Sequence, residues 1–244
     1  MERALTASEF KEVWDRKPVL RAVYLDYYKR IEHWCRDGRT VELGSGPGNL
    51  KEALVDVVAS DVSFAPWLDF VGDAQQLPLV GESIANLVGV DVLHHLEYPV
   101  EFLAEAIRVL VPGGRVVFVE PAVTPGSWIF FRFAHPEPLD LRADPLTRGP
   151  RDPDRDPMDS NQALPTLLAR RRTRARLQEH LPRLRLVHTR RLSLIAYPLS
   201  GGFRTWSALP GRAVRPVLEV DNHLAPLLGR LVGFRLLMVF EKLP

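Results

Sequence analysis

Residues 41–50, VELGSGPGNL, set Gly44, Gly46 and Gly48 two apart directly behind a short apolar run. Glycines where a strand meets a turn let backbone N–H groups approach a ligand with no side chain between. A dinucleotide loop is spaced GxGxxG, and its third glycine would fall on Asn49. The spacing here is GxGxG, which argues against a dinucleotide. Carboxylates follow in order. Glu42 lies just inside the apolar run. Asp61 ends the next run, where a carboxylate can accept both ribose hydroxyls. Asp73, in GDAQQLP, is placed to accept an adenine amino group. Carboxylates around one site disfavour a pyrophosphate and suit a cationic ligand.

S-adenosylmethionine, with a sulfonium and an ammonium, meets that requirement. Its methyl group is already activated, so an enzyme has to align the nucleophile, exclude water and, for a hydroxyl, remove a proton. His94 and His95 follow the fourth apolar run and are candidate bases, since an imidazole titrates near neutral pH. The alternative is a His-His pair that caps the next helix and packs on its loop. Glu120, at the end of the fifth run, either meets an acceptor or anchors a covering segment. His135 and His223 could approach from that segment and from the C-terminal helix, or lie on the surface. The aromatic loop over residues 196–206 lines an acceptor pocket or is an ordinary turn. No metal site is expected.

The elements needed to position these groups can be read from periodicity. Apolar residues at helical spacing (Val23, Tyr27, Ile31, Trp34), interrupted by Pro18, predict one or two helices over 8–35. Strands are expected at 40–43, 57–61, 67–74, 84–93 and 115–121, with helices over 49–56 and 97–114. That alternation predicts an α/β, doubly wound, Rossmann-like sheet with helices on both faces. The pattern breaks at Pro121. Nine of the 21 prolines fall between Pro121 and Pro165, too many for a regular sheet or a long helix. The aromatic run SWIFFRF inside this stretch favours a lid over disorder. A helix over 164–181, a strand over 184–192, a helix near 217–231 and a last strand over 234–242 follow. The predicted organisation is an N-terminal helical cap (1–37), a cofactor-binding core (38–121), a Pro-rich lid insertion (122–165) and the C-terminal part of the same domain (166–244).

Composition narrows the function class. A net charge of +2 with 46% hydrophobic and 25% charged residues describes an ordinary globular chain with no global field for polyanions. A single cysteine, Cys35, allows no internal disulfide and fits a reducing cytoplasm. The first residues lack the apolar centre of a signal peptide. The stretch 224–240 is interrupted by Arg230 and Arg235 and is read as core rather than as a membrane span, which leaves peripheral membrane contact open. Five arginines over 169–178 suit a phosphate-bearing substrate, nucleic acid or an anionic surface, or form a solvated face neutralised by the acidic residues of 151–159. Nucleic-acid methylation is disfavoured: no Asn/Asp-Pro-Pro-aromatic motif follows the fourth strand, and Cys35 precedes the glycine loop.

Taken together, VELGSGPGNL, ASDVS, GDAQQLPL, VDVLHHLEYP and IRVLVPGGRVVFVEP resemble, in order and spacing, the class I S-adenosylmethionine-dependent methyltransferases. The nearest subgroup is that of small-molecule and quinone-biosynthesis methyltransferases. The resemblance covers residues 38–121 and implies a seven-stranded sheet, mostly parallel, with an antiparallel last strand. It implies that Glu42, Gly44, Ser45 and Gly46 border the methionine part of the cofactor, that Gly48 is cofactor-binding with them, and that Asp61 holds the ribose. Val62 and Phe64 would pack near the adenine, Asp73 and Ala74 would read its edge, and Asp91 would lie near the methyl donor. Ile84-Ala85 departs from the Phe-Asp usual in relatives. The expected activity is methyl transfer to a small or lipid-linked acceptor, with oxygen as the target. A cofactor-binding scaffold without transfer is the alternative.

Overall fold

Pro18 separates two helices rather than kinking one. The computed structural model, which describes residues 6–54, 56–133 and 137–244, has α1 at Ala7–Arg16 and α2 at Pro18–Trp34. Thr6 and Glu9 form a capping box at the start of α1. Pro18 takes the first turn of α2, where a missing N–H costs nothing. The stripe predicted for this helix is the buried one, with Val23, Tyr27 and Ile31 in the core.

Seven strands form one sheet: β1 (Thr40–Glu42), β2 (Val57–Asp61), β3 (Phe70–Val71), β4 (Ile84–Val90), β5 (Leu110–Pro121), β6 (Leu184–Leu192) and β7 (Arg235–Lys242). Their order is β3-β2-β1-β4-β5-β7-β6. Only β7 runs against its neighbours, antiparallel to both β5 and β6. The helices α3 (Pro99–Val109), α4 (Pro125–Phe133), α5 (Leu164–Ala169), α6 (Arg171–His180), α7 (Ala196–Ser200) and α8 (Val214–Val232) complete the fold. β5 sends Val116 and Phe118 into one apolar cluster, with Phe102 and Leu168, and Val117 and Val119 into the other, with Val23 and Ile31. A strand covered on both faces must be apolar throughout, which is why this part of the sequence reads as a continuous run. The expected Rossmann-like sheet with its antiparallel last strand is the observed one. Strand order reverses between β1 and β4, where such sheets open a crevice at the carboxyl ends of their strands.

Several expected elements differ. The helix over 49–56 is a single 3-10 turn, Asn49–Glu52. Only residues 49–56 separate Gly48 from β2, and Asp56 (φ 65°) already turns the chain into that strand. The helix of 97–114, expected to be terminated by Pro112, Gly113 and Gly114, ends earlier, at Val109. Ile84 pairs with Leu110 and Asn86 with Arg115, so residues 111–114 bulge out of the ladder at the Pro-Gly-Gly. The third strand is two residues long, which leaves Asp73 beyond its end. The helix over 164–181 divides at Arg170, whose backbone is extended. The Pro-rich stretch opens with a helix, α4, and is irregular from 137 to 163. Ala85, the departure from the usual aspartate, lies under Gly38, where a Cβ would come within 2.8 Å of its own. Among the described residues no helix is long and apolar enough to cross a membrane.

Candidate cofactor and acceptor site

A cavity of about 1240 Å³ opens over the carboxyl ends of β1, β2 and β4. A single small-molecule site commonly has about 300–1,000 Å³, so this one has room for two ligands side by side. Glu42, Gly44, Ser45, Gly46, Asp61, Val62, Phe64, Asp73, Ala74 and Asp91 all line it. Gly48 does not. It lies behind the loop, where a Cβ would approach Trp67 Cδ1 to 2.7 Å. Gly46 meets the cavity itself. Nothing lies within 4 Å of a Cβ built there, and its φ of +47° is the reason for glycine.

The carboxylates divide into engaged and unengaged groups. Asp61 accepts from the Gly46 N–H at 2.9 Å and the Ser63 N–H at 3.0 Å, tying the glycine loop to the end of β2. Val62 and Phe64 beside it are 51% and 78% exposed, bare apolar surface on the cavity wall. Asp73 accepts from the Gln75 N–H at 2.8 Å and pairs with Arg151 of the Pro-rich segment at 2.6 Å. Glu42 is buried, and its Oε2 has no hydrogen-bond partner. Burial, with Asp61 adding to it, pushes the Glu42 carboxyl up to about 8 against the pull of Ser45 and Lys51. A buried carboxyl facing a cavity without a donor suits a ligand that brings a cation or N–H groups.

Asp91 has φ 61° and is held by Arg235 at the start of β7. The two make a bidentate pair, with Nη2 to Oδ2 at 3.0 Å, and Tyr24 donates its hydroxyl to the same oxygen at 3.1 Å. The Arg235 guanidinium lies 4.0 Å over the Tyr197 ring and is 3% exposed. In the sequence Arg235 reads only as an interruption in an apolar run. A buried arginine requires a carboxylate, so an arginine inside an apolar run signals a buried partner, and the fold supplies it as Asp91.

The two histidines have opposite environments. His94 Nδ1 is 2.8 Å from Glu120 Oε2, and its Nε2 is 3.6 Å from Glu137 Oε2. Burial lowers its affinity for a proton, but the two carboxylates outweigh that and push it up to about 9. His95, its ring 4.2 Å away, is lowered by burial and by the charge on His94, and its buried Nδ1 has no partner. Glu120 is fully buried. Its Oε1 accepts from the Val92 and Leu93 N–H groups at 2.8 Å each, so both oxygens are committed to the loop after β4. Metal-ligating atoms of His94, His95 and Glu137, and of Asp91, His94 and Glu120, lie within 4.8 Å of one another. The His94–Glu120 and Asp91–Arg235 contacts account for much of that crowding.

The Pro-rich segment is fastened over this loop. Arg155 donates to the His95 carbonyl at 2.7 Å and the Asn161 N–H to the His94 carbonyl at 2.8 Å. Ser160 and Gln162 both donate to Glu137. The opposite wall is aromatic: Phe10, Tyr24 and Tyr28 from the first two helices, Phe131 from α4, and Tyr197 and Phe203 from residues 196–206. That last stretch, read as a loop or a turn, begins as α7 and contributes to the wall. Lys17, buried, donates to the carbonyls of Gly202, Arg204 and Trp206 and fixes the turn that follows. His223 is exposed on α8 and is not part of the cavity. His135 lies outside the described residues. The arginine-rich helix α6 is countered by Asp144, which pairs with Arg176 at 2.8 Å, rather than by the acidic residues of 151–159.

Residues 41–118 match the family model described as a methyltransferase domain. The chain is 38% identical over 66 residues to the phthiotriol/phenolphthiotriol dimycocerosates methyltransferase of Mycobacterium leprae, covering 26% of this chain and 24% of that one. It is 43% identical over 56 residues to phthiotriol/phenolphthiotriol dimycocerosates methyltransferase 1 of Mycobacterium ulcerans, covering 22% and 21%. The matches thus span less than a quarter of these curated relatives. Among solved structures, an S-adenosylmethionine-dependent methyltransferase from Archaeoglobus fulgidus has a similar fold, with a TM-score of 0.52 at 17% identity over 91% of this chain and 94% of that one. Residues 41–118 are thus similar to a methyltransferase domain, and the chain has the fold of that solved methyltransferase.

Proposed function

We propose that this chain transfers a methyl group from S-adenosylmethionine to a hydroxyl of a small or lipid-linked acceptor. The observation that carries the reading is Glu42, a buried carboxyl with an unpartnered oxygen facing the glycine loop. It fits a cofactor that brings a cation or N–H groups. Glu42, Gly44, Ser45 and Gly46 would hold the methionine part, with Gly48 bracing the loop from behind. Asp61 would hold the ribose, with Val62 and Phe64 on the adenine face and Asp73 and Ala74 at its edge. When bound, the cofactor supplies an activated methyl group on a sulfonium.

The chain's own part is to orient the acceptor, keep out water and take a proton. His95 is the base in this reading, because its lowered proton affinity leaves it neutral near pH 7 with a free Nδ1. His94, held as imidazolium between Glu120 and Glu137, positions His95 and the loop, and Glu120 is a positioning residue through its backbone contacts. The Arg235–Asp91 pair fixes the other edge of that loop. The Pro-rich segment acts as the lid, closing through Arg151 and Arg155. The aromatic wall favours an apolar acceptor, as do the mycobacterial relatives, which are named for dimycocerosate substrates. Within the class we place the chain with small-molecule methyltransferases. A cytoplasmic location fits the single cysteine.

The test is incubation with methyl-labelled S-adenosylmethionine and a lipid extract, then partition between water and organic solvent. Label in the organic phase that disappears with Asp61→Ala supports the reading. Tight cofactor binding with no labelled product in either phase would replace it with the cofactor-binding scaffold.

A further inference from the structure

The apolar carboxyl half of α8, expected to be core, is largely on the surface. Leu227 is 76% exposed and Leu231 56%. The helix packs beside α4 through Gly126, where a Cβ would come within 2.9 Å of Val232. On α4, Trp128, Ile129 and Phe133 are exposed, Phe133 at 75%. The two neighbouring helices thus present a run of large apolar side chains that nothing among the described residues covers. Monomeric soluble proteins rarely expose such a patch without a partner. The only charged residues in 125–133 and 224–234 are Arg132 and Arg230, both exposed.

We propose that the outer faces of α4 and of the carboxyl half of α8 dock on an anionic lipid surface. Trp, Phe and Leu side chains among arginines, with no acid, match the boundary between headgroups and acyl chains. A second copy of this chain would fit less well, since the patch offers arginines and no carboxylate to meet them across a twofold contact. The inner face of α4 carries Phe131, which is buried and lines the cavity. Docking on this face therefore sets the aromatic wall of the acceptor site beside the bilayer. Docking stands on the patch alone; its use in taking up an acceptor rests on the lipid-linked reading above.

The experiment is flotation of the full chain with vesicles of pure phosphatidylcholine and of equal parts phosphatidylcholine and phosphatidylglycerol, with no methyl acceptor present. The protein is expected to float with the anionic vesicles and to be released by salt. Leu227→Ser with Leu231→Ser should lower the bound fraction tenfold or more, with thermal midpoint and cofactor binding retained. Arg132→Gln and Arg230→Gln should each weaken binding about fivefold. No flotation with either vesicle overturns the proposal. So does a wild-type dimer that the leucine variant converts to monomer, which would make the patch an interface between copies. Intact flotation combined with label only in water-soluble products would overturn the lipid-linked acceptor and leave docking standing.

Discussion

At the scale of single residues, Glu42 and the histidine pair set the pH behaviour. Glu42 is held up to about 8, so the unfolded chain ionises it in the ordinary carboxylate range while the folded chain keeps its proton. Its contribution to stability is fully present below that range and is lost as pH rises through about 8. Glu42→Gln should flatten this slope and raise the melting temperature of the ligand-free protein at pH 8, by roughly 2–4 °C per kcal/mol relieved. The same variant should weaken S-adenosylmethionine binding at least tenfold. In the wild type, binding a cation should release the Glu42 proton, so affinity should rise with pH up to about 8. Calorimetric titration in buffers of different ionisation enthalpy reads that proton directly. His94 obeys the same sign: held up to about 9, it stabilises fully below its usual range near 6.5 and loses the effect by about pH 9. His95→Gln should lower kcat by about 10²-fold or more with cofactor affinity kept. An unchanged kcat would remove His95 as the base.

At the scale of elements, two cross-links join parts distant in sequence. β7 brings Arg235 to Asp91 across 144 positions. Arg235→Leu removes the cation from a contact whose arginine side is buried, a change worth up to about 3–5 kcal/mol. The expected loss lies at the lower end, since the Asp91 side chain is 28% exposed. Urea denaturation should show it as a lower midpoint with an unchanged slope. The Pro-rich segment reaches Asp73 through Arg151, an exposed pair that adds about 1 kcal/mol or less to global stability. Arg151→Ala should therefore leave the melting temperature nearly unchanged but increase protease cleavage within 137–163. Stopped-flow displacement should also show faster cofactor release. If neither rate moves, the segment is not a lid.

At the scale of the whole molecule, a ligand enclosed by one cavity should stabilise everything that borders it. Cofactor at about 100 times its Kd should add about 2.7 kcal/mol, seen as a shift of several degrees in a thermal melt and lost in Asp61→Ala. The sheet that positions this cavity was legible in the sequence. Buried strands read as apolar runs, the Gly44–Gly48 spacing marks the turn after β1, and Pro18 and Pro121 mark the boundaries, because each of these follows from local sterics or side-chain period. Glu42 and Asp61 could be found for the same reason: the last residue of a parallel strand beside the point where strand order reverses lies at the crevice. Tertiary structure decided what those groups meet. His94 and His95, adjacent and chemically identical, acquire opposite proton affinities because Glu120 and Glu137, 26 and 43 positions downstream of His94, contact the His94 ring directly, whereas burial and the charge on His94 prevail at His95. The lengths of the helix at 49–56 and of the strand near Asp73 were set by where neighbouring strands begin. Whether the apolar end of α8 is core or surface depended on its neighbours: α4 and β6 cover one side only, and a sequence pattern records hydrophobicity without recording what is there to bury it.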